Sequence, residues 1–241
     1  AQANLESPLA VYQHLNKISK TPFAAYLRMG DKYVMCASPD RYLSNTDGEI
    51  KTQPIKGTAK RKKKVVEDRQ FRIALENNQK ELLENTTTTE MVVDELYAIA
   101  EEGSVQVTEL SKAYTFEQVH QLISTIVCQL RPDLEAVDAI KATYPMGSMT
   151  GIPKGSSMSI INELENFKRS LYSGSIGYFA PNDDFDFNVV IRSILYNATN
   201  NYVSFAAGGA ITALSDPEKE YEECILKVKA LAEVLGSFVE S

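Results

Sequence analysis

Cysteine is scarce in this chain and too scattered to build a framework. The 241 residues hold three, Cys36, Cys128 and Cys224, with no CxxC pair. That spacing argues against a disulfide scaffold and reads as small buried hydrophobes in a reducing compartment. Long apolar runs are also missing, so no segment matches the ~20 residues of a membrane-spanning helix. The opening Ala1-Gln2-Ala3-Asn4 has neither the charged nor the apolar region of a signal peptide. Positive charge is in deficit: the formal net charge is −7, whereas a nucleic-acid backbone demands a basic face. The expectation is a cytoplasmic protein with no membrane and no nucleic-acid partner. Hydrophobic residues at 44% and charged residues at 24% are ordinary for a globular chain, and the length buries a substantial core.

Local signals place the elements. Ser7-Pro8 starts a helix as N-cap and first helical residue, with Leu9, Tyr12 and Leu15 on one face. Strands over 23–29 and 32–37 flank Gly30-Asp31, the pattern of a hairpin. A turn over 46–49 leads into a strand that carries Lys56. A polar helix is expected over 65–85, ending at Glu84-Asn85. Thr86-Thr87-Thr88-Thr89 follows, and four β-branched residues predict a distorted element. Beyond a strand over 105–110 and a helix over 132–142, a three-stranded meander is expected at 172–180, 185–196 and 202–207. A last helix over 216–239 has Ser215 and Glu218 in capping-box spacing.

Several residues sit where chemistry needs them. Lys56 lies between Pro54, which stiffens the backbone, and Gly57, which lets it turn. A lysine held there is a candidate nucleophile, because burial favours its neutral amine. Gly147-Ser148-Met149-Thr150-Gly151-Ile152-Pro153-Lys154 is a second glycine-bearing loop. It precedes a helix whose free N–H groups suit an anion, and it lacks the Gly-Lys-Ser/Thr of a nucleotide-binding loop. Arg192 ends the apolar run 187–191, and a buried arginine needs an anion, best a carboxylate. Glu220, Glu223 and Lys227 share one helix face. The run 60–64 reads as a solvated basic loop. His120 reads as a packed, satisfied histidine, and its neighbour Gln121 as a hydrogen-bond donor.

Taken in order, these landmarks resemble the chorismate-utilising enzymes, from the first hairpin to the last helix. Pro54-Ile55-Lys56-Gly57-Thr58 is similar to the signature of the aminodeoxychorismate-forming branch, whereas the anthranilate-forming branch usually has alanine at the lysine. The resemblance implies an α+β fold of two orthogonally packed antiparallel sheets flanked by helices. It also implies one chorismate-binding catalytic domain over 1–241, short at its N-terminus relative to the family. Lys56 would be the covalent nucleophile. Asp40 of Ser38-Pro39-Asp40-Arg41 stands where the family has a glutamate acting as acid/base, one methylene or about 1.5 Å shorter. Glu84 and Glu223, with Glu220 beside them, would hold Mg²⁺.

The family pattern assigns substrate binding to Thr58, to Gly147, Thr150, Gly151 and Lys154 of the glycine loop, and to Tyr178. Arg192 would grip a chorismate carboxylate, with Gly208, Gly209 and Lys227 nearby. The reaction implied joins chorismate and ammonia to give 4-amino-4-deoxychorismate, a folate precursor, with ammonia from a glutamine amidotransferase subunit. Three departures stand out: the threonine run, Val93-Asp94-Glu95 in place of Arg-Asn-Asp, and Gln121 in place of a histidine. Anthranilate formation and a chorismate-binding relative without catalysis are the rival readings.

Overall fold

A computed structural model describes residues 2–117, 119–213 and 215–236. In chain order the first elements are α1 (Pro8–Ser19), β1 (Phe23–Met29), β2 (Lys32–Ser38), β3 (Arg41–Thr46), β4 (Glu49–Gln53) and β5 (Ile55–Lys60). Next come α2 (Val65–Glu76), α3 (Gln79–Leu96), β6 (Gln106–Thr115), β7 (Val119–Gln129), α4 (Ala136–Thr143), α5 (Gly147–Thr150) and α6 (Lys154–Leu164). The chain closes with β8 (Gly177–Phe179), β9 (Phe185–Asn188), β10 (Ser193–Asn197), β11 (Tyr202–Phe205) and α7 (Pro217–Gly236). The mixture of helices with antiparallel sheets is the α+β class. No described helix is long and apolar enough to cross a membrane.

The chain divides into two compact units. The first joins residues 1–40, 167–176 and 188–241. Its four-stranded sheet runs β1-β2-β10-β11, with the hairpin register set from Phe23 opposite Ser38 to Met29 opposite Lys32. The Ser7 hydroxyl caps α1 by accepting from the Ala10 N–H at 3.3 Å, as its sequence signal requires. Val11 and Leu15 of α1 are fully buried against Met35, Ile194, Leu231 and Val234. Each such side chain contributes about 1.5–3 kcal/mol relative to exposure.

The second unit, residues 41–166 and 177–187, is built on a seven-stranded sheet of order β5-β7-β4-β3-β9-β8, with β6 also pairing β7. Helices α2 and α3 pack on β5, β6 and β7. Two expectations are corrected here. The helix expected over 65–85 is two helices, because the Asn78 backbone turns extended and its side-chain oxygen accepts from the Lys80 and Glu81 N–H groups as a new N-cap. Glu84-Asn85 consequently lies inside α3 and not at a helix end. The threonine run is regular helix: the Thr88 and Thr89 hydroxyls each donate at 2.8 Å to the carbonyls of Glu84 and Asn85. Both threonines are buried, so packing outweighs their poor propensity, while the preceding turn satisfies their hydroxyls.

The meander also differs. The strand expected over 185–196 is broken into β9, in the seven-stranded sheet, and β10, in the four-stranded one. The break falls at 189–192, where Arg192 has φ 51° and cannot continue a ladder. The cap of α7 is Asp216, whose Oδ1 accepts from the Glu218 and Lys219 N–H groups at 3.1 Å. Ser215 instead accepts from the Thr212 N–H, so the predicted capping box does not form. The last three residues of the expected helix, 237–239, lie outside the described residues.

Candidate functional site

In the first unit the site is organised around Arg192. Its backbone is left-handed at φ 51°, a conformation that a bulky L-residue holds only when its surroundings enforce it. The enforcing bonds are the Ile191 N–H to the Val189 carbonyl at 2.9 Å, the Ser193 hydroxyl to the Ile191 carbonyl at 2.8 Å, and the Ala37 N–H to the Arg192 carbonyl at 3.1 Å. Burial pulls the guanidinium below its usual pKa, and the nearby charges of Asp40, then Glu223, oppose that pull. It remains a cation. Asp40 is held by its backbone, donating to the Ser38 hydroxyl at 3.2 Å and accepting from the Val189 N–H at 3.0 Å.

Helix α7 adds two carboxylates with opposite environments. Glu220 is 7% exposed, whereas Glu223 has a side chain 50% exposed and paired with Lys227 at 2.6 Å. The Lys227 ammonium also donates to the Gly208 carbonyl at 2.9 Å. A Cβ on Gly209 would stand 3.3 Å from Glu220 Oε2 and 3.7 Å from Lys227 Nζ, and one on Gly208 would stand 3.0 Å from the Tyr172 hydroxyl. Asp40, Arg192, Gly208, Gly209, Glu220, Glu223 and Lys227 thus belong to one unit, and Tyr172 joins them. The sequence stressed Glu223; the structure buries Glu220 instead. Hard carboxylate oxygens beside side-chain-free glycines fit a Mg²⁺ ion, which needs one or two protein carboxylates and keeps several waters.

In the second unit Lys56 lies on β5, half-buried. The β5–β7 register shifts between Ile55 and Thr58, and Gly57 in the bulge has φ 93°. A Cβ there would come within 3.1 Å of Glu81 Oε2 and Leu122 Cδ1, so both conformation and space call for glycine. The Lys56 carbonyl accepts from Asn85 Nδ2 at 3.3 Å. Glu84, the residue before, has a side chain 18% exposed with Lys80 Nζ 3.8 Å away. Thr58 is exposed and lies opposite Gln121, which is opposite Tyr114 in turn. Tyr178 is 65% exposed on β8.

The glycine loop is anchored to α3. Gly147 is buried, and a Cβ on it would strike Met91 Sδ and stand 2.6 Å from Glu95 Oε1. Gly151 follows with φ 104°, and the Thr150 hydroxyl donates to the Met146 carbonyl at 3.3 Å. Lys154 Nζ sits 2.6 Å from Glu95 Oε1 and donates to the Thr143 carbonyl at 3.4 Å. The lysine assigned to substrate is thereby a loop anchor as well, and Glu95, one of the departures in sequence, is its partner. A hollow beside it, lined by Arg41, Tyr42, Thr52, Glu95, Met146 and Gly147, offers about 20 Å³ to a water-sized guest. That is room for about one water and not for a carbocyclic ring. Gly147→Ala should destabilise the protein by about 1–3 kcal/mol, measured as a lower urea midpoint. An unchanged midpoint would show that α3 yields without cost.

Arg41, next to Asp40, reaches Asp186 with both Nε and a terminal nitrogen, at 3.0 and 2.8 Å, and donates to Gln53 Oε1 at 2.9 Å. His120 is buried and satisfied, Nδ1 with the Thr115 hydroxyl and Nε2 with Asp68 Oδ1. Gln121 follows on the opposite face of β7 and is buried too. Asp68 is held well below the usual carboxylate range by the Arg61 guanidinium first, then by the Lys62 N–H and His120. A depressed carboxylate stabilises the fold above its unfolded pKa and loses that effect as pH falls through the folded one. The melting-temperature gap between the parent and Asp68→Asn should therefore be constant above about pH 5 and shrink below about pH 4. A gap that persists unchanged to pH 2 would refute the linkage.

A family model described as chorismate binding enzyme matches residues 1–233. Aminodeoxychorismate synthase, chloroplastic, of Arabidopsis thaliana is 39% identical over 234 residues, 96% of this chain and 25% of that one. Aminodeoxychorismate synthase component 1 of Escherichia coli (strain K12) is 37% identical over 224 residues, 93% of this chain and 49% of that one. The crystal structure of anthranilate synthase component I from Streptococcus pneumoniae TIGR4 matches with a TM-score of 0.81 at 31% identity, covering 93% of this chain and 49% of that one. The chain thus spans a quarter of the plant relative and about half of the bacterial ones.

Proposed function

Because the chain belongs to the chorismate binding enzyme family, we propose that it is the catalytic region of an aminodeoxychorismate synthase, turning chorismate and ammonia into 4-amino-4-deoxychorismate and water. The observation that carries this reading is Lys56, set on the Gly57 bulge with its carbonyl bonded to Asn85 beside Glu84. The relatives named aminodeoxychorismate synthase, similar over almost all of the chain, support it. On this reading residues 1–241, both units included, form one chorismate-binding catalytic region.

Each residue then has a task. The neutral Lys56 amine forms a bond to ring C2 while the C4–O bond breaks, and both ring double bonds move one position to connect the two events. Asp40 gives its proton to the departing hydroxyl, which leaves as water. Ammonia next bonds at C4, the C2–N bond to lysine breaks, and Asp40 takes back a proton. Arg192 pairs with a substrate carboxylate, and Gly208, Gly209 and Lys227 complete that cradle. Thr58, Tyr178 and the loop bearing Gly147, Thr150, Gly151 and Lys154 orient the ring. Glu84, Glu220 and Glu223 would hold Mg²⁺, which when bound neutralises the second carboxylate of the dianion. A glutamine amidotransferase subunit supplies ammonia, and the setting is cytoplasmic, in keeping with three free thiols.

Anthranilate synthesis is the second reading, favoured by the 31% identity to the Streptococcus pneumoniae protein. Incubation with chorismate, Mg²⁺ and ammonium, followed by identification of the product, separates them. 4-Amino-4-deoxychorismate supports the proposal, anthranilate supports the second reading, and unchanged chorismate overturns both.

A further inference from the structure

We propose that Asn85 is a positioning residue that sets the direction of Lys56, an inference that rests on reading Lys56 as the reacting amine. Asn85 is fully buried at the centre of four hydrogen bonds. Its Nδ2 donates to the carbonyls of Lys56 at 3.3 Å and Leu122 at 3.1 Å. Its Oδ1 accepts from the hydroxyls of Ser111, at 3.0 Å, and Ser124. Two donors and two lone pairs are the whole capacity of an amide. The arrangement also has one polarity only, because a flipped amide would turn its oxygen toward two carbonyls.

The bond to Lys56 falls where the ladder gives out. Pairing of β5 with β7 is interrupted between Ile55 and Thr58, so this carbonyl meets a side-chain amide in place of a strand. The bond orients the peptide between Lys56 and Gly57, which has φ 93°. Fixing that peptide plane fixes ψ of Lys56, and with it the direction in which the lysine stem departs. Asn85 is itself held, since the Thr89 hydroxyl donates to its carbonyl at 2.8 Å. The same helix turn carries Glu84, so one rigid segment positions both the lysine and a carboxylate of the proposed site. Reacting groups need to be held within about 0.5 Å of their working geometry, and a buried amide with four partners has that stiffness.

The test compares Asn85→Ala with Ser111→Ala, which removes one bond to the Asn85 oxygen and leaves the bond to Lys56 in place. Lys56 is labelled with trinitrobenzenesulfonate and read by peptide mass spectrometry against the exposed Lys63. Melting curves and steady-state kinetics with chorismate and ammonium accompany it. In Asn85→Ala the Lys56:Lys63 labelling ratio should change at least about five-fold, and kcat should fall about 100-fold with KM within about two-fold, as expected for a reacting group displaced by about 1 Å. In Ser111→Ala both should stay within about two-fold, although the melting temperature drops. Should Asn85→Ala not fold, the isosteric Asn85→Asp takes its place with the same expectation. A cooperatively folded Asn85 variant with the parent's labelling ratio overturns the inference, as does Ser111→Ala behaving like Asn85→Ala. Labelling needs no turnover, so a parent that makes no aminodeoxychorismate would refute the proposed function and still leave this comparison decisive.

Discussion

Lys56→Ala should lower ammonia-dependent amination of chorismate by at least about 10³-fold, the scale on which covalent catalysis fails when its nucleophile is removed. An ammonium group has no lone pair to give, so attack requires the free amine, and withdrawing a lysine from water favours that form. The substitution removes three methylenes and the amine from a half-buried position and leaves the Asn85 bond, which ends on the Lys56 carbonyl. Alanine has no less tendency than lysine to follow the β5 backbone there, so the fold and the carboxylates of α7 should be undisturbed. Chorismate binding, measured by calorimetry with Mg²⁺ present, should stay within about three-fold, since the nucleophile bonds only as reaction proceeds. Intact-mass analysis of the parent with chorismate should reveal a covalent adduct that the variant lacks. Product formation by Lys56→Ala at the parent rate would discard the covalent role and favour direct addition of ammonia.

The second large effect concerns Arg192. Arg192→Met should raise the KM for chorismate about 100-fold, equivalent to about 3 kcal/mol of charge-assisted hydrogen bonding to a carboxylate. Its kcat should change far less if the guanidinium grips substrate and transition state alike. The position also stores strain, because Arg192 is left-handed at φ 51°. Glycine accepts that conformation freely and alanine does not. Arg192→Gly should therefore be more stable than Arg192→Ala by about 1 kcal/mol, read from urea unfolding, although both delete the same side chain. Equal stabilities would show that no backbone strain is stored there. An unchanged KM in Arg192→Met would leave the arginine a structural counter-charge to Asp40, the first of the charges that oppose the effect of its burial.

Part of the candidate site was legible in the chain because its residues announce themselves by local constraint. Lys56 is marked by Pro54 and Gly57, and the bulge that Gly57 forms is the turn those residues called for. Gly147 is marked by its motif, and the reason for it is the approach of α3, which leaves no space for a side chain. Asn85 carries no such mark. A buried asparagine with four partners looks in sequence like any polar residue of a charged helix, and its partners Lys56, Ser111, Leu122 and Ser124 lie 26 to 39 residues away. Glu95 is equally silent, since its ion pair to Lys154 spans two helices.

By itself the sequence determined what depends on neighbours within a few residues. The Ser7 cap of α1, the hairpin across Gly30-Asp31 and the glycines of the bulge and loop are all of that kind, because capping, turn formation and positive φ are properties of a few adjacent residues. Tertiary structure decided what depends on distant partners. It divided β9 from β10 between two sheets and kept four threonines helical by burying two of them with their hydroxyls bonded in the helix. It also chose Glu220 over Glu223 for burial on the same face of α7. Periodicity is identical for two glutamates three residues apart. Only the placement of Gly208, Gly209 and Lys227 around them sets one carboxylate against a bare glycine and leaves the other half in water with a lysine.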